Sequence, residues 1–440
     1  AKQPLAPQPL AQLPLDISAT AAAPRNRPTP GRFTGYGFDQ CVAPTQAKMN
    51  AWMQDSPFMA VGIYISGASR GCRSQPNLTA TWVATQLAKG WHLLPITLGP
   101  QASCATRYPK YGNDPKISAN PAGGYRTALS QGRTEAYRAI YAANRLGIVP
   151  GSTLFYDLEA FDIGNYHCKQ SAIRFVHGWT QWLHSKGYKS GFYSSAGSGI
   201  KMLDWLRKID TKKIFLLPDT LWIARWDGKA NALVSTQYLA ADAWMPYSRI
   251  KQFQGGHNET WGGVTINIDR NYLQLGPLSV YWGTHCGGVN LNLPTFGQLS
   301  MPTASYTPDR AQVKALQCLL REWGLYRGAI NGTYDVWTRN AAVGWQSRRG
   351  FRRSTTWTPQ NWGSLIAWGA IPTMKFGTTG FYVIRAQRAL RALRPSYNVK
   401  INGIYDSNMW TAINSYRKSA GLPAGGNLND RTWRALQAGK

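Results

Sequence analysis

The sequence predicts an α/β protein, a (β/α)8 TIM-like barrel followed by two small three-helix all-α modules. Two observations carry this expectation. Eight short apolar runs alternate with amphipathic or loop-like stretches over roughly 245 residues, as expected of parallel strands buried on both faces and covered by helices. Beyond them the chain repeats itself at an offset of 71 residues, with a one-residue gap before an Asn-Gly turn.

Taken in order, residues 1–31 are rich in Pro, Ala and Gln and read as a flexible leader left after removal of a signal peptide. Residues 32–278 hold the barrel. Its strand candidates are Gly35–Phe38, Ala60–Ile65, Trp91–Thr97, Ser152–Tyr156, Ser190–Tyr193, Leu221–Ala224, Ile250–Phe253 and Thr265–Ile268. Amphipathic stretches such as Leu78–Lys89, Gly132–Leu146, Ala172–Lys186 and Gly199–Arg207 separate them. A doubly wound open sheet is the competing architecture; no GxGxxG or P-loop follows any strand, which disfavours it. Residues 279–310, rich in Gly, Pro, Asn and Thr, read as a linker. Residues 311–370 and 375–440 then form the two modules. Ile330-Asn331-Gly332-Thr333-Tyr334-Asp335 aligns with Ile401-Asn402-Gly403-Ile404-Tyr405-Asp406, Gln317 with Gln387, Trp345 with Tyr416, Trp362 with Trp433 and Leu365 with Leu436. Each copy predicts a helix, an Asn-Gly turn, a second helix capped by Asp and a short third helix.

Composition narrows the function. Net charge is +29. Residues 305–440 carry 20 Lys and Arg against 5 Asp and Glu, and residues 31–304 carry 26 against 14. Such a basic surface fits a polyanion: nucleic acid, an anionic membrane or an acidic wall polymer. A generally basic secreted protein would share it. No recognised nucleic-acid motif accompanies the charge, and no stretch approaches the ~18 apolar residues of a membrane span. The 19 Trp and 22 Tyr suit a carbohydrate cleft as well as a core. Six cysteines lack CxxC spacing, so neither metal nor cofactor is expected, and their even number suggests disulfides. Cys72 follows the second strand and Cys104 the third. Neighbouring strands place their loops side by side, which predicts a Cys72–Cys104 bridge; Cys41 and Cys168, both just past strand ends on the same rim, are a second expected pair.

The chemistry concentrates in Phe155-Tyr156-Asp157-Leu158-Glu159. Residues two apart on a strand share a face, so Asp157 and Glu159 are expected in one cleft, where crowding raises the pKa of an acid. An ordinary strand end whose acids cap a helix or meet solvent would look the same in isolation. Other strand ends add Asp39, Ser66, Tyr193, Trp226, Gln252 and Asp269 to the same rim, where barrels of this type keep their active sites. Candidate substrate contacts are Tyr64, Tyr193, Trp222, Trp226 and Gln252.

Two resemblances follow from these residues. Val313 to Gln317, the Asn-Gly segment 330–335 and Thr338 to Gln346 resemble a three-helix peptidoglycan-binding module, and residues 384–436 resemble a second copy that departs at Met409 and Arg417. The barrel resembles glycoside hydrolase family 25 lysozymes, and more closely an actinobacterial glycoside-hydrolase-like family of poorly defined activity. The matching fragments are Gly37-Phe38-Asp39, Phe155 to Glu159, Gly191-Phe192-Tyr193-Ser194, Leu221-Trp222-Ile223-Ala224, Ile250 to Phe253 and Ile268 to Tyr272. Gln40-Cys41 and Pro44, and the long Gly99–Gln131 loop, depart from the lysozymes. The resemblance implies Glu159 as proton donor, Asp157 as the group that orients the N-acetyl function or stabilises an oxocarbenium-like state, and Asp39 with Asp269 as tuning residues. It implies a secreted, wall-associated glycosidase, most simply a muramidase acting as a monomer on peptidoglycan. A non-catalytic wall-binding protein with a retired barrel, or a glycosidase acting on an arabinan or galactan, are the alternatives.

Overall fold

The computed structural model describes residues 26–105, 113–276, 286 and 288–440. The greater part of the expected leader and part of the Gly99–Gln131 loop lie outside the described residues. Eight strands close into a barrel in chain order: β1 (Thr34–Asp39), β2 (Ala60–Ser66), β3 (His92–Thr97), β4 (Thr153–Asp157), β5 (Lys189–Ser195), β6 (Thr220–Ala224), β7 (Arg249–Trp261) and β8 (Val264–Gln274). The helices between them are α1 (Gln46–Asp55), α2 (Ala80–Ala88), α3 (Ala122–Arg145), α4 (Tyr166–Ser185) and α5 (Lys201–Ile209). Thr45, Thr79 and Asn165 start α1, α2 and α4 by accepting a hydrogen bond from the backbone three residues on. Strand β4 is buried along its whole length, as a parallel strand under helices must be.

All eight strand candidates form, but the barrel is not uniformly parallel. Strand β8 runs antiparallel to both β7 and β1. No crossover helix is needed between β7 and β8, which join as a hairpin. Register shifts between Gln252 and Gln254 and between Gln254 and His257 bend that hairpin. Its far end packs on α1, where Trp52 Nε1 donates to the carbonyl of Val264 at 3.0 Å. The hairpin thus covers a flank that a (β/α)8 barrel would cover with helices.

The last residues of the expected leader are structural. Thr29 is buried and lies between β3 and β4, whose pairing is confined to Ile96–Phe155 and Thr97–Tyr156. The Thr29 hydroxyl donates to Leu93 O and accepts from Leu93 N, while its carbonyl accepts from Thr153 N. It supplies the backbone partners that the two splayed strands leave open.

Past the barrel, helices α6 (Arg310–Glu322), α7 (Val336–Arg348), α8 (Pro359–Ala367), α9 (Phe381–Leu393), α10 (Ser407–Ser419) and α11 (Asp430–Gln437) share one apolar core. Asp335 and Asp406 cap α7 and α10 as the repeat implied. In each copy the buried glutamine holds the turn. Gln317 bonds Asn331, Thr333 O and Gly332 N, and Gln387 bonds Asn402, Ile404 O and Gly403 N. Gly332 and Gly403 sit at φ 81° and 70°, where a side chain would be strained. The stretch expected to be a plain linker contributes Leu291, Leu293, Phe296 and Leu299 to this core. Leu299 also pairs with Trp357 as an isolated bridge.

The disulfides are Cys41–Cys72, Cys104–Cys168 and Cys286–Cys318. The expected Cys72–Cys104 and Cys41–Cys168 pairs are therefore incorrect. Bridges do join loops that follow neighbouring strands, but the neighbours are β1 with β2 and β3 with β4. The spacing of the cysteines is the same in either frame, so sequence could not choose between them.

The helical region docks on the N-terminal end of the barrel through Lys375. Its amino group is fully buried and donates to Trp52 O at 2.8 Å and Phe58 O at 2.9 Å, with Ser56 Oγ at 3.5 Å and the Trp91 ring 5.2 Å away. Asn427 adds bonds from its amide to Gln54 O and Ser56 O. Replacing Lys375 with Met removes the donor: Trp52 O keeps the bonds from Ser56 N and Ser56 Oγ, while the Phe58 carbonyl loses its lysine partner, a loss of roughly 1–3 kcal/mol. Denaturant unfolding followed by tryptophan fluorescence is expected to show one transition in the wild type. In Lys375→Met the midpoint falls, and the helical region separates from the barrel as an earlier transition.

Candidate active site

The C-terminal ends of the strands surround a cleft of about 330 Å³. Asp39, Asp157, Glu159 and Asp269 all line it, with Tyr64, Tyr193, Trp226 and Gln252. Asp39 ends β1 and Asp157 ends β4; Glu159 follows one turn of the pleat later, with Leu158 between them buried in the core. The antiparallel register of β8 sets Asp269 directly opposite Asp39. Gly62 makes the first acid possible, because a Cβ there would lie 2.5 Å from that of Asp39.

Gln252 organises the acids. Its Nε2 donates to Asp39 Oδ1 at 3.2 Å and to Asp269 Oδ2 at 3.1 Å. Its Oε1 accepts from Tyr193 OH and from Trp226 Nε1, both at 2.9 Å. With donors on one side and acceptors on the other, the amide has a single satisfied orientation. Asn271 Nδ2 donates to Asp39 Oδ1 at 2.6 Å, and its own oxygen accepts from Trp222 Nε1 at 2.7 Å.

Trp222 is 1% exposed and does not line the cleft. The expectation that it contacts substrate is corrected: its inward position on β6 makes it a support for Asn271. Trp226, 64% exposed, is the cleft's aromatic face. Its indole rests against Gly255, where a Cβ would come within 2.6 Å of the ring.

Electrostatics reflect the crowding. Burial, and then the charge of Asp269, push the Asp39 carboxyl up to about 8, against the opposing hydrogen bonds from Asn271 and Gln252. Burial, then Glu159, push Asp269 up to about 6. The Tyr64 and Tyr193 hydroxyls rise well above their ordinary range through burial and the field of all four or three of these acids, respectively. Both phenols therefore remain neutral donors.

Two contributors were not anticipated. Gln101 braces the DxE segment, donating to Asp157 O at 3.0 Å and accepting from Glu159 N at 2.9 Å. Nothing in the sequence around a lone glutamine in a long loop signals this. Arg70 lines the cleft beside the Cys41–Cys72 bridge and is fixed by bonds to Gly67 O and Tyr64 O. It brings a positive charge to a site otherwise dominated by acids. Ser66, placed at the rim by its strand, is buried and bonded to Thr97 at 2.7 Å.

Asp39 generates a pH signature. Its folded pKa lies above the unfolded value, so between about 4 and about 8 the folded state holds the proton that the unfolded state has lost. Stability attributable to Asp39 is therefore greatest at low pH and declines as pH rises through that window. Asp39→Asn removes the decline. Its thermal midpoint relative to the wild type is expected to increase steadily from pH 4 to pH 8, measured by calorimetry across that range; a constant difference would contradict the raised pKa.

The profile of the Rv2525c-like, glycoside hydrolase-like domain matches residues 50–273, and that of a putative peptidoglycan binding domain matches residues 380–436. No protein with a curated description matches the chain. Among solved structures, the Tat-secreted protein Rv2525c of Mycobacterium tuberculosis in complex with L-tartrate is 14% identical, over 55% of this chain and 98% of that one, with a TM-score of 0.36. An uncharacterized B. stearothermophilus protein is 18% identical, over 55% and 95%, with a TM-score of 0.34. The modular autolysin LytC of Streptococcus pneumoniae is 9% identical, over 54% and 46%, with a TM-score of 0.32.

Proposed function

The chain belongs to the Rv2525c-like, glycoside hydrolase-like domain family, and from that premise we propose that it is a secreted, wall-associated glycosidase, most simply a muramidase. The observation that carries the reading is the convergence of Asp39, Asp157, Glu159 and Asp269 in one cleft beside an exposed indole. Hydrolysis of a glycosidic bond requires an acid to protonate the leaving oxygen and a carboxylate to stabilise or trap the sugar cation.

In this reading Glu159 is the acid. It sits past the strand end, half-buried, with its backbone fixed by Gln101. Asp157, deeper and nearly inaccessible, faces the sugar's N-acetyl group or the developing positive charge. Asp39, held protonated near neutral pH, supplies a donor instead of a second full charge, and Gln252 keeps it apart from Asp269. Tyr64 and Tyr193 line the subsite, and Trp226 offers the face on which a sugar ring stacks.

The division into a barrel over 32–278 and peptidoglycan-binding-like modules over 311–370 and 375–440 belongs to the same reading. The match of residues 380–436 to a peptidoglycan binding domain supports wall attachment, and the three disulfides fit an oxidising, extracellular setting. Among the described residues no helix is long and apolar enough to cross a membrane.

Glu159→Gln keeps the side chain's shape and removes its transferable proton. Release of reducing sugar from purified peptidoglycan is expected to drop by ~10²–10⁴-fold, while sedimentation with the walls is unchanged. Turnover near the wild-type rate would overturn the assignment, and no turnover by the wild type would favour a retired barrel. A second expectation concerns attachment. Because the helical region is so basic, raising salt from ~0.05 to ~0.5 M, which shortens the Debye length from more than 10 Å to less than 5 Å, should weaken cosedimentation with sacculi.

A further inference from the structure

A cavity of about 690 Å³ lies away from the acid cleft, between the barrel and the second helical module. Its barrel wall comes from the loop after α1, from Tyr36 on β1 and from Trp261 at the end of β7. Its module wall comes from Trp410 and Thr411 on α10 and from the loop Pro423–Asn427. The loop is pinned from behind by Arg417, whose guanidinium donates to Pro423 O at 2.9 Å and to Asn427 O at 3.2 Å. Asn427 then ties it to the barrel through Gln54 O and Ser56 O. Both walls are thus fixed in place by hydrogen bonds that leave the space between them open.

Trp410 is the informative residue. It is 37% exposed, and its indole lies on Gly426, where a Cβ would sit 2.1 Å from the ring. One face of the ring is backed by glycine backbone and the ring also lines the cavity. The acid cleft uses the same construction, with Trp226 seated on Gly255. The repeat shows that the arrangement belongs to the second copy alone. The equivalent positions in the first copy are Arg339 for Trp410, Thr355 for Gly426, and Arg352 and Arg353 for Pro423 and Ala424. The ring and the glycine that accommodates it are both absent there, and the small loop residues are replaced by long cations. At the cavity Arg431 is exposed and Arg270 is engaged by Glu259, so Arg431 is available for an anion.

We propose that this interdomain cavity is a second, non-catalytic binding site for a peptide-bearing amino sugar of the wall, with the sugar ring stacked on Trp410 and a carboxylate of the attached peptide met by Arg431. The choice of ligand rests on the wall-glycan reading of the barrel; the existence of the site rests on the cavity and its glycine-backed indole. Since half of the lining comes from the barrel, the site exists only in the docked protein, and ligand binding reinforces the docking made by Lys375 and Asn427.

Amide hydrogen exchange on the full-length Glu159→Gln chain tests this, with a purified disaccharide-peptide released from peptidoglycan as the probe. At saturation, peptides covering residues 423–427 and 260–262 are expected to exchange more slowly, by roughly fivefold or more, together with the segment around residues 157–159. Trp410→Ala and Arg431→Gln, both at exposed positions, should abolish the first effect and preserve the second, which also reports that the variants are folded. A neutral chitin oligosaccharide should protect residues 423–427 less than the disaccharide-peptide; equal protection would refute the role of Arg431. Unchanged exchange at 423–427 while 157–159 is protected would overturn the second site and leave the enzyme reading intact. No protection at either place would overturn the ligand choice and that reading together.

Discussion

The direction of β8 is the constraint on which the rest of the molecule depends. Because β8 runs antiparallel to β1, Asp39 and Asp269 become direct cross-strand partners. Side chains in such a pair approach to ~5 Å, and two like charges there repel. The fold answers with neutralisation and a spacer: burial keeps Asp39 protonated, and the Gln252 amide is shared between the two carboxyls. The same strand supplies Asn271, which reaches back to Asp39 and is itself held by Trp222. Reversing one strand therefore sets the protonation pattern of the cleft. It also produces the hairpin whose end replaces outer helices and carries Trp261 to the module. Along that hairpin Glu259 gathers Arg270, His257 and Trp261, and its pKa is held below the ordinary carboxylate range despite burial, by its hydrogen bonds to these groups.

The two helical copies show how one scaffold carries different surfaces. The buried glutamine, the Asn-Gly turn and the Asp cap are made in the same way twice, because each satisfies backbone groups that the fold itself orphans. Where the copies differ, the interior role is refilled by different chemistry. Gln346 bonds Thr356 O and Ser354 N in the first copy, while Arg417 bonds Pro423 O, Asn427 O and Thr432 in the second. Thr338 bonds the buried Gln317 and Asp335, while Met409 fills the corresponding space without a polar group. The departures at 409 and 417 are exchanges of support. Surface change is freer, which is how one copy acquires an indole on glycine and the other a run of arginines.

Much of this was legible in the chain, and the failures have physical causes. The strands announced themselves because a barrel strand is apolar on both faces, yet an apolar run carries no sign of its direction, so β8 read as one more parallel strand. The DxE segment placed two acids in one cleft because alternation persists two residues past the end of β4. Trp222 and Trp226 both read as substrate contacts, and only the closing geometry sends one inward to Asn271 and the other over Gly255. Thr29 sat in a segment whose composition resembles a disordered leader, and its role depends on a gap between β3 and β4 that no local pattern encodes. The cysteines followed a sound rule about neighbouring strands, but the rule fixes adjacency and leaves the choice among adjacent pairs open.

The placement of the sites on the barrel bears on how such a molecule would work on an insoluble polymer. The acid cleft opens at the C-terminal ends of the strands, whereas Lys375 and Asn427 dock the helical region against the loop that precedes β2, at the opposite end. A strand of five to seven residues spans ~20 Å, so a polymer segment held near the docking interface is not the segment being cut. On the proposed reading, attachment would act by holding the cleft close to many bonds, raising its effective concentration at the wall, without aligning a particular bond for attack. Alignment falls to the cleft itself, and there the short, fully bonded path from Trp222 through Asn271, Asp39 and Gln252 to Tyr193 and Trp226 leaves few side chains free to move. On the proposed reading, the rigidity of that path would let attachment through the helical region coexist with a precisely ordered group of acids.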